Sequence, residues 1–593
     1  VAISVIAAAD TDDVVVAWKT GGKIANCLGF AIERTATGQD PVFLKTEVGF
    51  AGDPTTPEGT TESSEKWPIQ RFVWTDHLAP AGVDLIYTVH AVMGSAANPT
   101  LGIAGSSEPL KRDTNSSPGY SLFPNRGIAA APWIERSIQA AMNAHAEPKP
   151  TPSALLESSI AQEGNAIREK LAGPVLIALR AQFAQAEAAG EDMYLALYEL
   201  QDDELIKLLI SAGKRVHLIL GNGSFATTGT PAQIDPNGAA AVRLTTAGIS
   251  VQRRMVQSGH YAHNKFIVFA HGGVPTRVWT GSTNWTPSGL CTQANQAVVV
   301  EDPTLAQKYL DYWSRLIAAG NDYPPSLAVA DSTATTAGTP DTRAWFAPVN
   351  KYVDLEDART LIGNAEQGAL FLMFRPGNAH TLVDDIELLH KRGLFIRGVV
   401  NTGFLGSTNT GPAIDFFDSQ AKITHGDPEL ILPAHLRTPV GPFDAETEST
   451  GVLIHSKVIV IDPFGNNPVI ITGSHNLGQK ASSSNDDNLL IIENQPGLAA
   501  EFAVYVMNVY DHYKWRYELG LKAETNSAAK SGAKQTATKT PTTTPAATTP
   551  PTTNPPTTTK NSPWDGLSKS ADDWQSPSYL AAAAVQAKFW FGG

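Results

Sequence analysis

Up to about residue 113 the apolar positions fall in short β-rich runs, several of them alternating with polar residues. They are Asp13-VVVAW-Lys19, Leu28-GFAIE-Arg34, Arg71-FVW and Asp84-LIYTVHAVM. Turn-forming groups separate them at Gly21-Gly22, Gly38-Gln39-Asp40 and Gly52-Asp53-Pro54. Short strands at this spacing predict an all-β sandwich over residues 1–113. The stretch SSEPLKRDTNSSPG, near 106–119, reads as a linker.

From about 120 to 523 strands alternate with helices. MYLALYEL (193–200) reads as a buried strand. DDELIKLLISAG (202–213) has helical spacing, acidic residues at its start and a glycine at its end. RVHLILGNGS follows as strand and loop. The same order returns as ALFLMF (369–374), TLVDDIELLHKRG (381–393) and LFIRGVVNTG. Strand–helix–strand units predict an α/β region with largely parallel sheets and helices on their faces. Beyond 523 the chain becomes TPTTTPAATTPPTTNPPTTT, an extended linker over 524–562. A tail at 563–593 carries Trp564, Trp574, Phe589 and Trp590, which suit docking on the body or on a partner.

Composition changes this picture little. The 593 residues exceed one core, and no apolar run is long enough to span a bilayer. The formal net charge of −14 lacks the basic footprint usual for nucleic-acid binders. Two cysteines, Cys27 and Cys291, exclude a disulfide framework and a cysteine metal cluster. A start at Val1 is expected of a processed chain, and the Thr/Pro linker favours a secreted or periplasmic protein over a cytoplasmic one.

The informative feature is a pattern written twice. YAHNKFIVFAHGGVPTRVWTGSTNW contains His263-x-Lys265 followed by Gly281-Ser282-x-Asn284. IHSKVIVIDPFGNNPVIITGSHNL contains His455-x-Lys457 followed by Gly473-Ser474-x-Asn476. The offsets 455 − 263 and 493 − 301 are both 192, so the register holds from the histidines to Glu301 and Glu493. A constant offset over this length predicts an internal duplication, with halves at 114–324 and 325–523 packed about a pseudo-twofold axis. On a strand, residues i and i+2 share a face, so each histidine emerges beside its lysine. Two imidazoles, two ammonium groups, two hydroxyls and two amides then converge. Two lysines repel each other unless an anion lies between them, so such a site suits a phosphate. One histidine attacks phosphorus and the other handles the proton of the leaving oxygen.

H-x-K followed by G-S-x-N, present twice, resembles the phospholipase D superfamily across roughly 120–523. Trp18 and Tyr87 in the first domain resemble the core tryptophan and late-strand tyrosine of fibronectin type III domains. The first resemblance implies a pseudo-twofold α/β fold, a covalent phosphohistidine and no required metal or other cofactor. Its substrates span phospholipids and nucleic acids. The family pattern has an aspartate five residues after the lysine, kept here as Asp462 but replaced by Ala270 in the first copy. It also has an acidic position eleven residues after the asparagine, which is Asp487 in the second copy and Asn295 in the first. In the family this carboxylate supports the histidine of the opposite half. The resemblance therefore implies that Asp487 supports His263 as nucleophile, while Asn295 sits by His455, the general acid and base. Ser282, Asn284, Ser474, Asn476 and Asn295 are the candidate substrate-binding residues, and Asp462 braces local backbone.

Other residues weigh less. His271 and His475 take no family role and are expected to face solvent or back the site. Trp279 and Trp285 fit core packing better than stacking on a base or headgroup. Asn222-Gly223 and Asn401-Thr402-Gly403 end equivalent strands and suit either the site rim or simple turns. The reading favours phospholipid phosphodiester cleavage by a monomer, with contact to a membrane surface and no metal. A nuclease is the alternative, and a non-catalytic binding protein with a decayed first half the third.

Overall fold

The computed structural model describes residues 2–54, 56–57, 60–112, 117–127, 132–145, 148–223, 235–339, 341–377, 381–402, 413–417, 453–514 and 566–592. The predicted linker at 524–562, Trp564 and Gly403 lie outside the described residues.

The N-terminal strands form two sheets. One orders Ile3–Ala9, Val14–Thr20 and Val73–Asp76, all antiparallel. The other is built around Cys27–Ala36 and Asp84–Ser95. One core joins their facing sides: Val14, Val16 and Trp18 pack with Phe30, Ile32, Leu85, Tyr87 and Val89. The Tyr87 hydroxyl donates to Asp76 at 2.9 Å. The expected linker at 106–119 is a linker only in part, because Leu110–Lys111 is a strand paired with Asp84 and Leu85. A two-residue edge strand, with Leu110 half-buried on the core and Lys111 exposed, is too short to show an alternation in the sequence.

Two larger sheets follow. The first orders Tyr120–Pro124, Gln296–Val300, Val274–Gly281, Lys265–His271, Asp192–Leu197, Val216–Gly221 and Ser250–Arg254. The second runs Thr335–Thr336, Thr342–Phe346, Asn488–Glu493, Val469–Gly473, Val458–Ile461, Gly368–Phe374, Phe395–Thr402 and Ala413–Phe417. The expected largely parallel sheets are corrected to mixed ones. Within these two sheets, among the described residues, only Asp192–Leu197 with Val216–Gly221, Val216–Gly221 with Ser250–Arg254, and Gly368–Phe374 with Phe395–Thr402 pair in parallel. Helices connect those strands, whereas Lys265–His271 returns through the Gly272-Gly273 turn to Val274–Gly281 as an antiparallel hairpin.

The strands carrying the repeated motif are apolar on both faces because both are covered. Phe266 and Val268 enter a central core with Val458 and Val460, while Ile267 and Phe269 face an outer helical layer. Ile459 and Ile461 do the same on the other sheet. The central core also holds Tyr309, Tyr312 and Leu316 from helix Pro303–Ala319, and Phe502, Val506 and Tyr510 from a helix over 496–514. Contacts between the two sheets come in pairs separated by the sequence offset. Tyr261 bridges to Asn485, and Gln293 pairs with Leu453. Thr280 donates to Asn488 Oδ1 at 2.7 Å, and Gln296 donates to Thr472 at 2.7 Å.

The tail docks on the body. Trp574 and Tyr579 join the N-terminal core, and Trp574 Nε1 donates to the Cys27 carbonyl at 2.8 Å. At the far end of helix Pro577–Phe591, Phe589 packs on Phe395 of the second large sheet and Trp590 on Phe464 in the turn between strands Val458–Ile461 and Val469–Gly473.

Candidate functional site

The two His-x-Lys segments meet where the large sheets meet. The His263 amide donates to the Asp486 carbonyl at 3.0 Å, and the His455 amide donates to the Ala294 carbonyl at the same distance. These exchanges place each histidine beside the segment that precedes the last strand of the opposite sheet. The imidazole centroids lie 6.4 Å apart, and each residue is 5% exposed.

Each imidazole is held through Nδ1. His263 Nδ1 donates to Asp487 Oδ1 at 2.8 Å. His455 Nδ1 lies 2.9 Å from Asn295 Oδ1 and 3.0 Å from the Ser282 carbonyl, both acceptors. Asn295 presents its oxygen because its Nδ2 donates to the Gly289 carbonyl at 2.8 Å. With Nδ1 committed as donor on both rings, Nε2 is the nitrogen left for chemistry. Neither Nε2 has a protein hydrogen-bond partner among the described residues.

The lysines repeat this arrangement. Lys265 donates to its own histidine's carbonyl at 2.6 Å and lies 4.9 Å from the Tyr198 ring centre. Lys457 donates to the His455 carbonyl and lies 4.9 Å from the Phe374 ring centre. Tyr198 also packs edge-on against His263 at 4.8 Å, and Phe374 packs against His455 at 4.7 Å. One aromatic ring therefore supports one histidine and one lysine on each side. Asn264, between His263 and Lys265, turns the opposite way and donates to Tyr312 in the central helix.

The remaining expected residues sort into layers. Ser282 Oγ lies 2.7 Å from Asn295 Oδ1 and 2.6 Å from Gln296 Oε1, and Ser474 Oγ donates to Asp487 Oδ1 at 2.7 Å. Both hydroxyls thus brace the groups that hold the histidines. Asn284 Nδ2 donates to Glu199 at 2.9 Å, while Oδ1 of Asn284 and of Asn476 is buried without a hydrogen bond. Asp462 accepts the amides of Glu366, Gln367 and Gly368 at 2.7–2.8 Å, away from the histidines.

His475 does not face solvent: it is buried, and its Nε2 lies 3.1 Å from Asp354 Oδ2. His271 is exposed. Trp279 stacks on Phe123, and Trp285 packs in the outer core. Asn222 donates to the Val256 carbonyl, and Asn401 accepts from the Ile454 amide. Sequence reasoning missed Tyr198, Glu199, Phe374, Gln296 and Asn488. Tyr198 and Glu199 follow strand Asp192–Leu197 and Phe374 ends strand Gly368–Phe374, so all three close runs that read as ordinary buried strands.

The family described as "Cardiolipin synthase, PLD-like domain" matches residues 179–317 and 359–510. These two stretches, just under half of the chain, are similar to that PLD-like domain. Mitochondrial cardiolipin hydrolase of Xenopus tropicalis is 34% identical over 111 residues, 19% of this chain and 46% of that protein. The match thus spans about half of that relative's length. Among solved structures, phosphatidylserine synthase of Haemophilus influenzae Rd KW20 matches with TM-score 0.38 and 12% identity, over 60% of this chain and 92% of that one. The phospholipase D family member Nuc of Salmonella typhimurium matches with TM-score 0.20 and 24% identity, over 24% and 90%. PLD-like proteins are phosphodiesterases and phospholipid-modifying enzymes.

The electrostatics of the site follow from burying four bases together. Burial pushes the His263 pKa down to about 4, with help from Lys265 and against the pull of Asp487. Burial, Lys457, Lys265 and His263 together hold His455 well below the usual imidazole range. Burial likewise brings Lys265 down to about 7, against Asp487 and Glu199, and holds Lys457 well below the usual lysine range. Burial alone would raise Asp487, but contact with His263 outweighs it and keeps the carboxyl low. Burial thus favours the uncharged forms of these bases, and an anion beside them would favour the protonated ones. Groups of three or more histidine, cysteine or carboxylate side chains able to hold a metal are absent among the described residues. No helix among them is long and apolar enough to cross a membrane.

Proposed function

We propose that the chain is a phospholipase D-type phosphodiesterase acting on phospholipids through a phosphohistidine at His263. The observation that carries this is the pair of facing imidazoles, one with Nδ1 on a carboxylate and the other with Nδ1 on an amide. Among the described residues neither Nε2 has a protein partner, and a lysine stands beside each ring. A phosphodiester anion between the lysines raises the proton affinity of all four bases. His263 Nε2 attacks phosphorus while protonated His455 gives its Nε2 proton to the departing alcohol oxygen. The P–N bond forms as the P–O bond breaks, and Asp487 offsets the cation left on His263. Water or an alcohol then attacks phosphorus, its proton passes to His455, and His263 leaves as the neutral imidazole.

The paired contacts between the sheets support a duplication with halves at 114–324 and 325–523, and both histidines in one chain make a monomer sufficient. The buried Trp18 and Tyr87 support a fibronectin type III-like sandwich over 1–113. The description of the matching family and the name of the Xenopus relative favour lipid over nucleic acid. The test is to incubate the protein, in excess chelator, with phosphatidylcholine or cardiolipin vesicles and with single-stranded DNA. Cleavage of lipid without added metal is expected. DNA degraded far faster than any phospholipid would overturn the substrate assignment, and activity only with a divalent ion would overturn the mechanism.

A further inference from the structure

The positions that follow the two supporting aromatic rings carry opposite charges. Ala196 pairs with Phe266, and Leu372 pairs with Val458. Phe266 and Val458 are equivalent in the repeated motif, so Tyr198 and Phe374 are equivalent, and Glu199 and Arg375 follow them. Tyr198 and Phe374 play the same part on each side. Glu199 and Arg375 cannot. Glu199 is half-buried, and its Oε2 takes the Nδ2–H of Asn284 at 2.9 Å. It also lies close enough to Lys265 for the two to interact electrostatically. The carboxylate therefore bonds one group that the first half offers a phosphate, the amide donor, and lies within electrostatic reach of another, the ammonium.

A site with two lysines and two imidazoles would otherwise favour the most highly charged phosphate available. A phosphodiester carries one negative charge, whereas a phosphomonoester carries close to two at neutral pH, with a second pKa of about 6. From this placement we propose that Glu199 is a specificity-determining residue. It repels the second charge of a phosphomonoester, so that the site holds the monoanionic diester and releases a monoester product. The inference rests on the phosphodiester reading of the site.

The attraction to Lys265 does not cancel the effect. In either complex the bound anion keeps Lys265 protonated, so the carboxylate's repulsion differs between the two ligands by one unit of charge. At an effective dielectric of about 20 and a separation of roughly 6 Å, that unit changes relative affinity by about a hundredfold, and by about tenfold after screening.

The experiment measures binding of phenyl phosphate and methyl phenyl phosphate by isothermal titration at pH 8, to the full chain and to Glu199→Gln and Glu199→Asp. Using the ratio of the two affinities cancels any change in lysine protonation common to both ligands. The wild type and Glu199→Asp are expected to favour the diester relative to Glu199→Gln. The glutamine variant, isosteric and able to accept the Asn284 bond, shifts the ratio toward the monoester by about tenfold or more. An unchanged ratio in a Glu199→Gln protein that melts with the wild type overturns the proposal, as does an equal shift in Glu199→Asp, which would mark shape rather than charge. If the wild type binds neither ligand, the phosphodiester reading itself fails, and that outcome is distinct from an unchanged ratio.

Discussion

Replacing Asp487 with asparagine isolates one charge. The Asp487 side chain is fully buried; its Oδ1 accepts from His263 and Ser474, and its Oδ2 accepts from Asn485 Nδ2 at 3.1 Å. Asparagine keeps both Oδ1 bonds. Its new amide faces the Asn485 amide donor, but Asn485 Oδ1 has no hydrogen bond, so turning that side chain over restores the contact. Shape and hydrogen bonds therefore survive while the charge is lost. A carboxylate in contact favours the cationic form of an imidazole by about 1–3 pKa units. That corresponds to roughly 1.4–4 kcal/mol, or about 10–10³-fold. The cost falls on the step that creates the cationic phosphohistidine. Rapid-quench measurement of the p-nitrophenolate burst from a p-nitrophenyl phosphodiester reads that step directly. The same chain supplies the comparison, because His455 already rests on an amide, Asn295. A burst within about twofold of wild type, in a variant with unchanged melting temperature, would refute the role given to the carboxylate.

Other consequences follow from the same structure. Lys265 is brought to about 7 and Lys457 well below the usual range, and a bound anion raises both. Sulfate binding between about pH 7 and roughly pH 9 should therefore take up protons, seen as a dependence of titration heat on buffer ionisation enthalpy; no uptake would contradict the charge account. Asp462→Ala removes the acceptor for three backbone amides and should cost a few kcal/mol in stability, about 1–3 per stranded donor at most. The protein that remains folded should keep near-normal turnover, and a loss of turnover without a fall in melting temperature would contradict a bracing role. Trp574→Ala should destabilise the N-terminal module by about 3–5 kcal/mol and speed proteolytic release of the tail. Unchanged release would show that the tail is held by other contacts.

The contacts at the centre of the site were largely legible in the residues. The 192-residue offset between His263 and His455 identifies the same groups that the fold brings together. The two positions eleven residues after Asn284 and Asn476 are those found beside the opposite histidines. The sheet type was not legible. Strand–helix–strand order signals a parallel pair, but the hairpin through Gly272-Gly273 reverses the chain and makes most pairings antiparallel. Ser282 and Ser474 looked like ligands for a phosphate because their motif ends near the histidines; the hydroxyls instead turn toward Asn295 and Asp487. Tyr198 and Phe374 were hidden by composition, since an aromatic at the end of an apolar run reads as core until the partner across the rim is known. The docking of Trp574 and Trp590 was open for the same reason: burial needs a partner surface, and a tail sequence does not name it.

The central claim is that His263, and not His455, forms the bond to phosphorus. Acid quench during turnover of a phosphorus-labelled diester, followed by peptide mapping, tests it directly. The measurement is made on the wild type and on His455→Ala with a p-nitrophenyl leaving group, which needs little protonation. Loss of acid–base help costs about 10²–10⁴-fold with ordinary leaving groups. With p-nitrophenolate the variant should still form the intermediate and accumulate it, because no base activates water. Label is expected on the peptide containing His263 in both proteins, and more of it in the variant. Label on the peptide containing His455 in the wild type would contradict the account.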